Sequence, residues 1–154
     1  NCEFDLIVMT GHAFQVFVDD DELRTALAAI RSALTPDGRF AFETRNPLVR
    51  SWEHWATEYT TEVTDGTGAV VRAECEVEMP VEEDIVRFSH TFTSPNWRRP
   101  QLSHSTLRCL DVDSLSSFLA NAELAIEEQF GDWDQSPMTD TSPEIITIAS
   151  RAEV

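Results

Sequence analysis

The chain has 154 residues, of which 42% are hydrophobic, so it is long enough for one packed domain or for part of a domain with an insertion. Its formal net charge of −17 argues against a phosphate-binding surface, because nucleic-acid affinity depends on Lys and Arg. The acidic balance also predicts repulsion from anionic membranes, and no apolar run reaches the roughly 18 residues that a membrane span needs. We therefore expect neither nucleic acid nor membrane as a partner.

The three cysteines, Cys2, Cys75 and Cys109, are odd in number and lack Cys-x-x-Cys spacing. This pattern favours reduced thiols over a disulfide framework. It predicts a cytoplasmic protein.

An apolar run at residues 4–9 predicts the first strand. It shows no polar alternation after Asp5, which is typical of a strand covered on both faces in a parallel sheet flanked by helices. Thr10, Gly11 and His12 follow at its carboxyl end, where open α/β sheets place their ligand crevices.

A helix and a second strand are predicted next. Asp20 or Asp21 can cap a helix whose apolar positions recur at helical spacing, namely Leu23, Leu27, Ile30 and Leu34. The sequence Thr-Pro-Asp-Gly at 35–38 predicts its end. Residues 39–44 then read as a strand, and the connection is long enough for the crossover that parallel pairing requires.

The pattern changes after this strand. Residues 71–79 alternate between apolar and polar, as do residues 86–92, and a turn signal at 65–68 predicts a hairpin. With a further run at 102–110, these segments predict an antiparallel sheet of about four strands.

The α/β pattern resumes near Asp111 or Asp113 with a helix that ends near Asn121, followed by short strands at 125–130 and 145–149. We predict a core formed by residues 1–50 and 111–154, with an insertion at 51–110. The predicted fold class is α/β, with a partial Rossmann-like sheet and an inserted antiparallel sheet.

These segments, in this order, resemble the C-terminal part of a class I S-adenosylmethionine-dependent methyltransferase. FDLIVMTGHAFQ is similar to that family's fourth strand and the loop after it, and LTPDGRFAFETRNP to its fifth strand and the preceding turn. Residues 107–134 and 144–151 resemble the closing helix and the last two strands, which the family pairs as an antiparallel hairpin. The middle sheet resembles the substrate-side insertion of some members that act on small molecules.

The family binds its cofactor mainly through a Gly-rich turn after its first strand. None of the five glycines forms such a Gly-x-Gly-x-Gly turn here. The resemblance therefore implies a fragment that begins just before the fourth strand. Such a fragment is not expected to bind S-adenosylmethionine tightly and, by itself, is expected to be inactive.

The resemblance implies cofactor contacts at Thr10, Gly11 and Gln15. His12 is the candidate catalytic residue, because an imidazole titrates near neutrality. A structural alternative stays open, in which His12 only hydrogen-bonds a neighbouring loop.

The candidate substrate-binding residues are Phe14, Arg45, Asn46, Trp52 and Trp55. Arg45 can hold a carboxylate, and two tryptophans can wall an apolar or cationic pocket. A salt bridge for Arg45, and core packing for Phe14 and the tryptophans, are the alternatives. No histidine has metal-ligand spacing, so no metal site is predicted.

The predicted function is methyl transfer from S-adenosylmethionine to a small molecule by the parent enzyme. The alternative is a non-enzymatic small-ligand-binding or dimerisation module built on the antiparallel sheet. An unpaired edge at the first strand also predicts self-association.

Overall fold

The computed structural model describes residues 3–152 and divides into two compact units. The first comprises the chain up to Val49 and from Arg108 onward, and the second comprises Arg50–Leu107. The prediction of segments at 1–50, 51–110 and 111–154 stays a prediction of domain organisation.

The helices and strands of both units are, in chain order, β1 (Phe4–Met9), α1 (Asp20–Ala33), β2 (Leu34–Arg45), α2 (Trp55–Glu58), β3 (Thr61–Thr64), β4 (Val70–Val77), β5 (Ile85–Thr93), β6 (Gln101–Arg108), α3 (Val112–Asn121), β7 (Leu124–Phe130) and β8 (Glu144–Arg151). Short 3₁₀ turns at Ala13–Val16, Pro47–Val49 and Ser51–Glu53 complete the described chain.

The first unit contains a mixed sheet in the order β1-β2-β8-β7. β1 and β2 are parallel, whereas β8 is antiparallel to both β2 and β7. The crossover between the parallel strands is α1, as parallel pairing requires. This arrangement confirms the predicted α/β class with a partial Rossmann-like sheet and a closing antiparallel hairpin.

The core of this unit lies between the sheet and its helices. Its buried side chains come from both helices and three strands, and they include Leu23, Leu27, Phe40, Phe42, Leu115, Leu119, Leu124 and Ile145. The predicted apolar face of α1 is therefore confirmed. Leu34 is also fully buried, but it is the first residue of β2 instead of a helical residue.

Two local predictions are wrong. Asp19, not Asp20 or Asp21, caps α1, since its carboxylate accepts the N–H groups of Asp21 and Glu22 at 2.8 and 3.2 Å. Asp20 instead pairs with Arg108.

The expectation that β1 is covered on both faces is also wrong for the described chain. Phe4, Leu6 and Val8 are 51–60% exposed, because these alternate side chains share one face of β1 that the described residues leave largely uncovered. An apolar run alone does not reveal whether a second layer covers it.

The second unit contains a four-stranded sheet in the order β3-β4-β5-β6, so the predicted inserted sheet is confirmed. β4 is antiparallel to β3 and to β5, and the predicted turn at 65–68 joins β3 to β4. α2 packs on this sheet through Trp55, whose ring meets Phe88 edge-on at 5.1 Å.

Cys75 lies in the second unit and Cys109 in the first, and both are buried free thiols. Cys2 lies outside the described residues. Within residues 3–152, no helix is long and apolar enough to cross a membrane.

A glycine is required at position 38 because the backbone of Phe4 lies too close for a side chain there. The pairing of β1 with β2 shifts register between Phe4, which pairs with Leu34, and Leu6, which pairs with Arg39. Residues 35–38 form the extra length on β2. A Cβ atom at Gly38 would lie 2.7 Å from the carbonyl oxygen of Phe4.

We therefore predict that Gly38→Ala lowers the free energy of unfolding by about 1–3 kcal/mol, since backbone must move to accept the methyl group. Gly66→Ala is the matched control, because a Cβ there meets nothing within 4 Å, and it should change stability by less than about 0.5 kcal/mol. Urea unfolding measures both. Equal urea midpoints for the two variants would show that the close approach of Phe4 does not require glycine at position 38.

Candidate functional site

The carboxyl ends of β1 and β2 lie side by side. Met9, the last residue of β1, pairs with Phe42, so the segments 10–12 and 43–46 leave the sheet at the same edge. β8 enters at this edge, with Glu144 paired to Arg45. We call the side chains and loop that meet there, Gly11, His12, Glu43, Trp133 and Glu144, the polar edge.

Glu43 is the centre of the polar edge. Its side chain is 6% exposed. One carboxylate oxygen accepts the backbone N–H groups of Gly11 and His12, the latter at 3.1 Å, and the other accepts the indole N–H of Trp133. A buried carboxylate needs such donors, and here they come from two separate loops.

The loop after β1 has an unusual backbone. Gly11 and His12 both have positive φ, at 68° and 59°. Glycine adopts this conformation freely, whereas histidine does so at some cost. The two hydrogen bonds to Glu43 hold the backbone of this turn in place.

His12 pairs with Glu144 through its Nε2 atom, at 2.9 and 3.1 Å from the two carboxylate oxygens. The two side chains are 22% and 20% exposed. Because a carboxylate can only accept, we assign the proton to Nε2, which leaves Nδ1 as the acceptor nitrogen of the neutral ring. Chemically, this is a histidine oriented by a carboxylate, the arrangement of a general base.

Gln15 is completely buried and joins two strand ends. Its amide nitrogen donates to the carbonyl oxygen of Arg108 at 3.1 Å and to Cys109 Sγ at 2.9 Å. Its amide oxygen accepts the backbone N–H and Nη1 of Arg45, both at 3.2 Å. These contacts give Gln15 a structural role, and its cofactor contact stays a prediction.

Arg108 lies beside this network. Its guanidinium donates to Asp20 at 2.7 Å, and this hydrogen bond is the main reason that the pKa of Asp20 is lowered. The Arg108 side chain is 15% exposed and lies over the ring of Phe118, at 5.3 Å from its centroid. α1 is thereby tied to the segment that leads into α3.

Asn46 anchors the loop between β7 and β8. Its side-chain amide is directed at the carbonyl oxygens of Thr139, Asp140 and Ser142, at 2.9–3.4 Å, and the residue is 2% exposed. These contacts give Asn46 a structural role, and substrate binding by it stays a prediction.

Phe14 is a core residue, at 3% exposure. Its ring stacks on Phe42 at 4.4 Å and meets Phe17 edge-on at 6.2 Å. Core packing, the alternative left open by the sequence, accounts for these contacts. No contact of the described residues supports a substrate role for Phe14.

The two predicted tryptophans lie in the second unit. Trp55 is 1% exposed and packed against Phe88 and Tyr59. Trp52 is 7% exposed and lines a cavity within that unit. Core packing is enough to account for Trp55, whereas Trp52 forms part of the wall of a cavity.

Of the predicted ligand residues, the structure brings Gly11 and His12 to the polar edge, and Thr10 precedes them as an exposed residue. Arg45 is half-buried at the same edge, next to Gln15. Among residues 3–152, no group of three or more His, Cys, Asp and Glu side chains is placed to hold a metal ion.

Glu43 and Glu144 were not identified as site residues from the sequence. The signal for Glu43 was present, since a carboxylate directly after the apolar run Phe40-Ala41-Phe42 needs hydrogen-bond donors when the strand is buried. Nothing in the sequence indicated that Glu144 would face His12, because that contact depends on the register of β8.

No protein family model and no curated protein matches the sequence. Solved structures do match. An S-adenosylmethionine-dependent methyltransferase from Clostridium acetobutylicum superposes with a TM-score of 0.76 at 15% identity, over 99% of this chain and 60% of that chain. The methyltransferase CcbJ from Streptomyces caelestis gives 0.71 at 14% identity, over 99% of this chain and 59% of that one.

This chain has a class I methyltransferase fold. A third structure, DesVI from Streptomyces venezuelae, superposes with a TM-score of 0.69 at 16% identity over 98% of this chain and 60% of that one. The chain thus spans about three fifths of the length of these three solved proteins. The mixed sheet corresponds to the expected C-terminal part of the family's fold.

We predict that Glu43→Gln lowers the free energy of unfolding by about 1–3 kcal/mol, because an amide cannot accept at both oxygen positions and one set of N–H donors loses its partner. Fluorescence should also change, since the indole of Trp133 is released or reoriented. Glu58→Gln, at an exposed position of α2, is the control. Urea midpoints that match between the two variants would show that Glu43 does not hold the loops.

Proposed function

We propose that the chain is part of an S-adenosylmethionine-dependent methyltransferase that acts on a small molecule. The observation that carries the proposal is the polar edge, which lies at the carboxyl ends of β1 and β2 in a methyltransferase fold, where such sheets gather ligands. Two further structural neighbours are named as an amino pentose methyltransferase and a sugar N-methyltransferase. They support a small-molecule acceptor.

The residues of the polar edge fit the charge of this cofactor. S-adenosylmethionine carries a sulfonium and an ammonium group, and the polar edge holds the carboxylates of Glu43 and Glu144. Thr10 and Gly11 are exposed beside these carboxylates and would contact the cofactor. The cofactor supplies an activated methyl group when it is bound.

His12 is the base in this proposal. Its Nε2 atom is held by Glu144, so the neutral ring offers Nδ1 to a proton on the acceptor. Glu144 acts through His12 as a positioning residue. Methyl transfer is an in-line displacement, so holding the acceptor in place contributes most and a base of modest strength is sufficient.

Arg45 completes the proposal as an acceptor contact. Arg45 is half-buried at the polar edge. Its backbone N–H and its guanidinium both donate to the side-chain oxygen of Gln15. A guanidinium fixed in this way is suited to a carboxylate or another anionic group on a substrate.

A second candidate function, a dimerisation module, is favoured by one observation. The alternate side chains Phe4, Leu6 and Val8 expose an apolar strip on the edge strand β1. An unprotected edge strand with apolar side chains favours pairing with another chain.

We predict that His12→Ala lowers methyl transfer by the complete enzyme by about tenfold or more per folded molecule, because the base and its orientation are both lost. His104→Ala, at an exposed position of β6, is the matched control. Cofactor affinity, measured by isothermal titration, separates a binding contact from a base. Turnover per folded molecule that is unchanged in His12→Ala would refute the base, and melting curves correct for any loss of folded protein.

For the second candidate, we predict that the chain self-associates with rising concentration in sedimentation experiments. Leu6→Glu should weaken this association, because a charged side chain on an edge strand opposes pairing. Val63→Glu tests specificity, since Val63 is similarly exposed but lies on β3. If the chain sediments as a monomer at every concentration, the dimerisation function is excluded.

A further inference from the structure

Gln15 is a completely buried polar side chain of the first unit. It lies in the 3₁₀ turn Ala13–Val16, which follows the loop of the polar edge. A buried amide needs partners for its two N–H donors and for an oxygen with two lone pairs. All four positions are occupied, and the three residues that occupy them belong to the same unit.

The partners determine which way the amide points. The carbonyl oxygen of Arg108 can only accept a hydrogen bond, and the backbone N–H of Arg45 can only donate one. The amide nitrogen of Gln15 must therefore face Arg108, and the amide oxygen must face Arg45. The opposite orientation would place an acceptor against an acceptor at one end and a donor against a donor at the other.

The amide oxygen holds Arg45 at two points. It accepts the backbone N–H and an N–H of Nη1, both at 3.2 Å, so the tip of the arginine side chain is bound to the same atom as its own backbone. The side chain is thereby confined in its conformation. A long side chain loses rotamer entropy when it binds a ligand, and here part of that loss has already occurred on folding.

Gln15 orients the guanidinium of Arg45 without adding a charge. Three other arginines of the unit, Arg24, Arg31 and Arg39, pair with carboxylates at 2.5–2.9 Å, and each pairing offsets their charge. The amide oxygen of Gln15 is neutral. Its hydrogen bond therefore preserves the attraction of the Arg45 guanidinium for an anion.

We propose that Gln15 is a positioning residue that sets the preference of the polar edge for an anionic group, because it orients the guanidinium of Arg45. This inference rests on the proposed function, in which Arg45 contacts the methyl acceptor. The ligand group that fits is a carboxylate or another planar anion, since a fixed guanidinium presents its N–H donors in one plane. Gln15 acts on this group only through Arg45.

Benzoate and benzamide test the proposal, because they share one ring and differ in charge. We expect the unaltered chain to bind benzoate more tightly in nuclear magnetic resonance titrations, with shifts at the side-chain signals of Arg45 and Gln15. Gln15→Met removes the hydrogen bonds and should weaken benzoate binding by about five- to tenfold, but benzamide binding by less than about twofold. Gln101→Met, at the exposed first residue of β6, is the matched control and should change neither.

Arg45→Gln separates this inference from the proposed function. It should abolish the preference for benzoate over benzamide. If the unaltered chain shows no such preference, or if Arg45→Gln retains it, the acceptor contact is wrong and the role of Gln15 is wrong with it. If Arg45→Gln abolishes the preference but Gln15→Met leaves it unchanged, the acceptor contact stands and only the role of Gln15 is overturned. Equal weakening of both probes in Gln15→Met would also overturn that role, since it indicates general loss of structure.

Hydrogen exchange on the unaltered chain tests the proposal even if Gln15→Met fails to fold. The guanidinium protons of Arg45 should exchange about tenfold or more slowly than those of Arg98, which lies exposed in the turn between β5 and β6. Equal exchange rates would show that the guanidinium is not held and would overturn the proposal. Melting curves establish which variants are folded.

Discussion

The carboxylate of Glu43 holds the polar edge together. It is buried, and its three N–H donors come from the loop after β1 and the loop after β7. An unpaired carboxylate at this depth would be strongly unfavourable, so the two loops and the strand stabilise one another. The left-handed turn at Gly11 and His12 depends on Glu43, whereas Glu144 orients the His12 ring.

The same strand, β2, organises the remaining contacts of the edge. Glu43, Arg45 and Asn46 are close in sequence, yet they reach three different partners, namely the polar edge, Gln15 and the loop before β8. Glu43 and Arg45 lie two residues apart on one face of β2, whereas Asn46 follows the last residue of the strand and contacts the loop before β8. A single short segment can therefore connect the parallel half of the sheet with the closing hairpin.

Much of the fold was predictable from sequence because it follows from local pattern. The apolar run of β1, the helical spacing of Leu23, Leu27 and Ile30, and the alternation along β4 each indicate one element. Gly38 was assigned to a turn, whereas it serves a close approach to Phe4, which no local pattern reveals. In the candidate site, the positions of Gly11 and His12 were predictable because both residues follow the end of an apolar strand. Their partners Glu43 and Glu144 were not predictable, because these contacts depend on the register of β2 and β8.

The anchoring of the loop between β7 and β8 bears on the entropy of ligand binding. Glu43 holds its early part at Trp133, and Asn46 holds its late part at Thr139, Asp140 and Ser142. Ordering a free loop of this length costs conformational entropy residue by residue. Here that cost is met during folding, so a molecule that rests against the exposed ring of Trp133 finds a surface that is already rigid.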